Sequence, residues 1–243
     1  MKRTILSAAL LLSLPLAARA ADEAKPEGWT GSGELGLAFA RGNARSETVN
    51  GKLTLGKEDE TWKHDFGLQI LRVKGEVDDE FELTANRYEL SASSAYKFDE
   101  KQSVIGALRY ENDDFAPFEY QAVASISYGY NAIDNERTHL GFEVGPGYRR
   151  AKNRSTGEVE GDAVLRGRSD YRHQLTETTQ LTNVFLVEGG EDNTFAQNDL
   201  AVSVKINSKL ALKSGLQLRH NTDNAPGTTS TDKLLTTNLV FSF

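Results

Sequence analysis

The last ten residues, Leu234-Leu235-Thr236-Thr237-Asn238-Leu239-Val240-Phe241-Ser242-Phe243, constrain the fold more than any other stretch. At period two, Leu235, Thr237, Leu239, Phe241 and Phe243 share one face. Thr236, Asn238 and Ser242 share the other, with Leu234 and Val240 as apolar exceptions. This alternation predicts a β-strand between two different surroundings. An apolar strand at a sheet edge invites pairing with other chains, and a closed barrel removes that edge by joining the last strand to the first.

The same alternation recurs upstream, and no long window has a helical period. Candidate strands fall at about 29–39, 49–55, 62–70, 87–98, 104–111, 120–130, 140–149, 162–172, 181–187, 200–206 and 210–219. With the terminal strand they number about twelve, an even count as bacterial outer-membrane barrels require. The ninth is ambiguous, because Val184 and Leu186 fall on its polar side, and the register is open over 131–137 and 178–190. The connections alternate. Asn207-Ser208, Asp99-Glu100-Lys101 and Leu175-Thr176-Glu177 read as tight, whereas 74–82, 112–118, 152–161, 189–198 and 221–232 read as long loops. Short turns on the periplasmic side and long loops outside are expected of such a barrel. Trp29, Trp62, Phe98, Tyr130 and Phe243 lie near one set of strand ends, and Phe39, Tyr110, Tyr120 and Tyr148 near the other. That is the placement of two interfacial aromatic belts.

The face opposite the apolar one is charged. Its bases are Lys52, Lys63, Arg72, Arg87, Lys97, Arg109, Arg149, Arg166, Arg168, Arg172, Lys205, Lys213 and Arg219. Its acids include Glu34, Asp65, Glu89, Glu111, Glu143, Asp162 and Asp170. A lipid-facing charge costs about 2–4 kcal/mol near the midplane, so these side chains are expected to point inward. Arg87, Glu89, Arg109, Glu111, Glu143, Arg149, Arg166, Arg168 and Asp170 form the candidate lumen network. Two readings follow: a salt-bridged, largely occluded interior, or a narrow small-solute channel that prefers anions. Close alternation of sign, as in Arg87/Glu89 and Arg109/Glu111, favours the first.

Lys2 and Arg3, the apolar run Ile5–Leu16 and Ala18-Arg19-Ala20 read as a cleaved signal peptide over 1–20. A short periplasmic lead-in over 21–28 and a barrel over 29–243 would follow. Removing Lys2, Arg3 and Arg19 leaves 25 basic against 35 acidic residues, a net charge of −10. That balance disfavours nucleic-acid binding. With no cysteine, disulfides and thiol chemistry are excluded. Acidic residues gather in the expected loops (Glu76, Asp78, Asp79, Glu80 and Glu82; Asp113 and Asp114; Glu191 and Asp192) without the spacing of a defined calcium site. No cofactor is implied. Of His64, His139, His173 and His220, only His220 is a candidate for a lipid-acting enzyme, and no Gly-x-Ser-x-Gly accompanies it. Gly145-Pro146-Gly147 suggests a bent strand or close backbone packing. A soluble lipocalin-like barrel would need the two faces exchanged.

The terminal strand with its final phenylalanine resembles the C-terminal signature of bacterial outer-membrane barrels. That makes Phe241 and Phe243 the candidate assembly signal. Trp29-x-Gly-x-Gly-Glu-Leu-Gly leading to Gly42-Asn43, then Gly51-Lys-Leu-x-Leu, Trp62, Asn86-Arg87-Tyr88 and Gly145-Pro146-Gly147-Tyr148-Arg149 resemble the YdiY-type family. Its members are described as salt-induced outer-membrane proteins, a domain of unknown function. Arg41 and Ala44 depart from the Thr and Ser that usually flank its Gly-Asn. The resemblance implies an outer-membrane barrel with no established activity. It implies outer-membrane lipid and lipopolysaccharide as surroundings, and the barrel assembly machinery and periplasmic chaperones as partners. The sequence leaves the oligomeric state open.

Overall fold

A computed structural model describes residues 28–40, 45–77, 80–223 and 229–243. The expected signal peptide, nearly all of the lead-in, Gly42-Asn43 and Asp78-Asp79 lie outside the described residues. Twelve strands follow one another: β1 (Thr30–Ala40), β2 (Ser46–Glu58), β3 (Trp62–Val77), β4 (Glu80–Lys97), β5 (Gln102–Asp113), β6 (Phe118–Asp134), β7 (Thr138–Asn153), β8 (Val159–Gln174), β9 (Thr179–Gly189), β10 (Thr194–Lys205), β11 (Leu210–Asn221) and β12 (Thr231–Ser242). Each pairs antiparallel with its sequence neighbours, and β1 pairs with β12 to close the barrel. Closure runs from Ser32–Ser242 to Leu35–Leu239, and Gly31 and Phe243 exchange backbone hydrogen bonds of 2.8 and 2.9 Å.

The barrel is turned inside out relative to a water-soluble protein. Leu35, Phe66, Leu108, Ile126, Val144, Leu165, Leu212 and Leu239 are exposed on the outer wall. Buried positions include Arg109, Glu111, Gln121, Arg149, Glu188 and Arg219. Period-two alternation produces this arrangement, because successive side chains leave opposite faces of the wall. The outer rings form two chains. On the turn side, Trp62 meets Tyr96 at 5.2 Å and Tyr96 meets Phe98 at 5.6 Å. On the loop side, Tyr88, Tyr110 and Tyr120 succeed one another at 6.0 and 6.1 Å. Tyr120 and Tyr130 mark the two belts on β6. Ten residues at ~3.3 Å each, tilted ~40°, separate them by about 25 Å, the height of an outer-membrane apolar band.

The five turn-side hairpins share one device. The side chain of Asp59, Asp99, Asn135, Thr176 or Asn207 accepts hydrogen bonds from the backbone N–H groups two and three residues on, at 2.7 to 3.3 Å. This is the Asx or Ser/Thr turn, in which a short polar side chain substitutes for a backbone acceptor. The connection expected over 131–137 shrinks to 135–137, because β6 runs on to Asp134 through a bulge between Asn131 and Ile133.

Two expectations are corrected. The expected long loops are shortened by strand in part: β3 and β4 pair out to Val77 and Glu80, β10 begins at Thr194, and 114–117, 154–158 and 190–193 separate their strands, whereas 222–230 still lies between β11 and β12. Polar residues still satisfy their backbone groups by pairing beyond the apolar band. Arg72, expected inside, is exposed on the outer face that Ile70 shares. Its neighbour Leu71 is buried inside opposite Asn50 and Arg87.

Candidate functional site

The interior is organised by one chain of alternating charges. At the turn-side end, Arg172 Nε lies 3.2 Å from Asp170 Oδ1, and Arg168 Nη2 donates to Asp170 Oδ2 at 2.9 Å. Glu143 on β7 accepts from Arg168 at 2.9 Å and from Arg166 at 2.7 Å. Arg166 Nε reaches Glu188 of β9 at 4.0 Å. Glu188 then holds Arg109 of β5 along one guanidinium edge, accepting from Nε at 3.3 Å and from Nη2 closer still. Arg109 Nη1 stands 3.3 Å from Glu111 and 3.7 Å from Glu89. Glu111 accepts from Arg219 of β11, which also meets Asp113 at 3.5 Å, and Asp113 lies 3.9 Å from Arg87.

Position in the barrel gives this chain its consequence. β5 and β11 are six strands apart in a ring of twelve, so the Glu111–Arg219 pair spans the lumen. Arg87 on β4 reaches Gln217 on β11 at 2.6 Å, again across the interior. Phe195 of β10, 1% exposed, lies between the Arg109 and Arg219 guanidiniums, whose centres stand 4.4 and 5.1 Å from its ring centroid. Arg149 stacks on buried Phe118 at 5.1 Å and donates to Asp162 at 2.8 Å. Facing rings and guanidiniums gain cation–π attraction that strengthens as water is removed. The result is a filled layer at the loop-side half of the barrel.

Below that layer the lumen opens into a cavity of about 740 Å³. Its lining reaches the turns at Asp99 and Lys101 and ends at Arg109, Glu188 and Asp199. The cavity is a polar vestibule on the turn side, and the packed layer of Arg109, Phe195 and Arg219 lies on its loop side. The six arginines of the chain (87, 109, 166, 168, 172 and 219) face six carboxylates (Glu89, Glu111, Asp113, Glu143, Asp170 and Glu188), so the network is charge-balanced. A second, smaller network ties the seam: Lys213 donates to Glu34 at 2.8 Å, and Asn238 bridges Glu34 and Asn50 at 3.4 and 3.3 Å.

All nine predicted network residues point inward. Eight join the chain, and Arg149 pairs apart from it with Asp162. Sequence reasoning missed Glu188, Asp113, Asp199 and Phe195. Glu188 and Asp199 had no visible partner nearby, and Asp113 and Phe195 lay in what read as loops. Val184 and Leu186 do line the cavity, so the polar-side assignment that made the ninth strand ambiguous is correct. Among the described residues, no group of three or more His, Asp or Glu side chains is arranged to hold a metal ion. His220 Nδ1 meets Thr231 Oγ1 at 2.9 Å. His64 Nδ1 meets Ser94 Oγ at 2.8 Å and stacks on Trp62, with no carboxylate bonded to its ring among the described residues.

A family model described as a protein of unknown function, DUF481, matches residues 33–243, in line with the resemblance read from the motifs. No curated protein matches the chain significantly. Among solved structures, the NanC porin superposes with a TM-score of 0.52 at 10% identity, covering 89% of this chain and 99% of its own. An outer membrane channel from Pseudomonas putida F1 superposes at 0.54 with 15% identity, covering 91% and 97%. At these identities the likeness is one of fold.

Proposed function

The chain belongs to the DUF481 family, and from that premise we propose that it is an outer-membrane barrel of structural or envelope-integrity function whose lumen is closed at rest. The observation that carries the reading is the charge-balanced chain that crosses the lumen at the Glu111–Arg219 pair. An open pore keeps its charges hydrated, whereas these two side chains are buried and paired. Membrane residence is supported by the apolar outer wall, the two aromatic belts and closure of the sheet, since only a barrel with no free edge satisfies its backbone in lipid. In this reading the five tight turns face the periplasm, Phe241 and Phe243 serve assembly, and the salt response of the resembled family reflects a need for an intact envelope. Fractionation tests residence. The mature chain is expected in outer membranes as a fast-migrating unboiled band that shifts on heating, and an unshifted periplasmic band would overturn the reading.

A second reading is a narrow channel. It is favoured by one observation: the layer that closes the lumen consists of side chains, with a vestibule already formed beneath it. Planar-bilayer conductance separates the two.

A further inference from the structure

The outer wall carries a feature that the interior does not explain. A groove of about 680 Å³ crosses it from β7 to β2, with an apolar lining. One row of facing residues runs Arg150, Ala122, Tyr110, Leu90, Leu68 and Leu53, each the register partner of the next. A parallel row starts at Tyr148, passes through Ala124 and Ala92, and ends at Leu55. The alanines make the floor and the longer side chains the walls. Arg150 stands three residues from the loop-side end of β7, and Leu55 three residues from the turn-side end of β2. The groove therefore descends from one rim toward the other. Five strand spacings of ~4.8 Å give it a length of about 24 Å. At a strand tilt of ~40° it falls about 15 Å along the barrel axis, half the ~30 Å hydrocarbon core of a bilayer.

Its upper end is charged in an unusual place. Arg150 is exposed, shares the outward face with Tyr148, and has no ion-pair or hydrogen-bond partner among the described residues. Its chain neighbour Arg149 points inward and is paired. An outward, unpaired guanidinium at the level of the tyrosine belt sits where lipid headgroups carry phosphate, and guanidinium–phosphate pairing is bidentate and strong.

We propose that this groove is a specific site for a phosphorylated multi-acyl lipid of the lipid A class. One acyl chain lies along the Ala122–Ala124–Ala92 floor and a headgroup phosphate sits on Arg150. The proposal rests on the membrane reading above, which puts the loop-side rim in the outer leaflet. The acyl groove spans that one leaflet and the cation sits at its head, which matches a lipid and leaves a protein partner's polar backbone unserved.

The test is native mass spectrometry of the full barrel in detergent, with added lipid A, dephosphorylated lipid A, phosphatidylglycerol and phosphatidylcholine. The heat-modifiable band is checked for every variant. Lipid A is expected to be retained over phosphatidylcholine, with Arg150→Gln lowering that ratio about tenfold. Ala124→Phe, which fills the floor, is expected to lower retention of lipid A, while Arg72→Gln, an outward arginine at the same rim but outside the groove, is expected to leave it unchanged. Equal retention of all four lipids, or a ratio unmoved by Arg150→Gln, would overturn the site and leave only annular lipid. Preference for phosphatidylglycerol over lipid A would overturn the assignment to lipid A. A wild-type dimer that Ala124→Phe dissociates would assign the groove to a second copy and overturn it too. Failure of the membrane reading itself would show in fractionation, independently of the lipid ratios.

Discussion

Glu111 on β5 and Arg219 on β11 pair across the barrel although 108 residues and half the ring of strands separate them. Removing one member of a buried pair strands the other charge, at about 3–5 kcal/mol. Arg219→Leu is therefore expected to lower stability by that order in urea titrations of the detergent-folded barrel. Glu111→Gln combined with Arg219→Gln is expected to cost less than the sum of the two single changes. Additive losses would show that the pair is not coupled.

Phe195 fills the gap between the Arg109 and Arg219 guanidiniums. Phe195→Ala removes a buried ring, at about 3–5 kcal/mol, whereas Phe195→Leu keeps part of the apolar bulk but not the ring quadrupole. The expected order of urea midpoints is wild type, then Phe195→Leu, then Phe195→Ala.

Gly145 stands where a side chain cannot. A Cβ there would come within 2.1 Å of the Ile126 carbonyl oxygen and 2.5 Å of Ser127 Cα. The β6–β7 register skips from Ser125–Gly147 to Tyr128–Val144, and Pro146, which has no N–H to donate, lies in the gap. Gly145→Ala is expected to cut the yield of heat-modifiable barrel sharply. Gly106→Ala, where nothing lies within 4 Å, is expected to shift stability by less than about 0.5 kcal/mol.

The turn-side hairpins set an acid limit. Backbone N–H groups of Trp62 and Thr61 hold the Asp59 carboxyl below the ordinary value of 3.8, and those of Lys101 and Gln102 do the same for Asp99. A depressed folded-state pKa contributes stability that is present above the unfolded value and lost as pH falls through the folded one. Both turns are thus expected to weaken as pH drops below about 4, the ordinary carboxylate range. In Asp59→Asn with Asp99→Asn, whose amide oxygens accept at any pH, the unfolding midpoint is expected to depend less on pH in that window. An unchanged pH profile would contradict the role given to these caps.

Much of this fold was legible because each strand has one apolar and one polar neighbour. Period two therefore fixed which residues face lumen and lipid, including Val184 and Leu186. The charge of Arg72 points to the lumen and its parity with Ile70 to the outer wall, and parity decides. The hairpin extensions were read as loops because pairing continues past the apolar band, where alternation fades into polar sequence. The nine network residues could be found from parity alone. Their pairing could not, since Arg109 meets Glu188 at a separation of 79 residues and Arg219 meets Glu111 at 108. Closure of the ring sets those distances, and no local pattern records them.

The central claim is that side chains close this lumen, and single-channel conductance of the purified barrel in planar bilayers tests it most directly. The wild type is expected to insert without conductance steps, and the double variant Phe195→Ala with Arg219→Ala to produce them. Steady open-channel steps from the wild type would contradict the account.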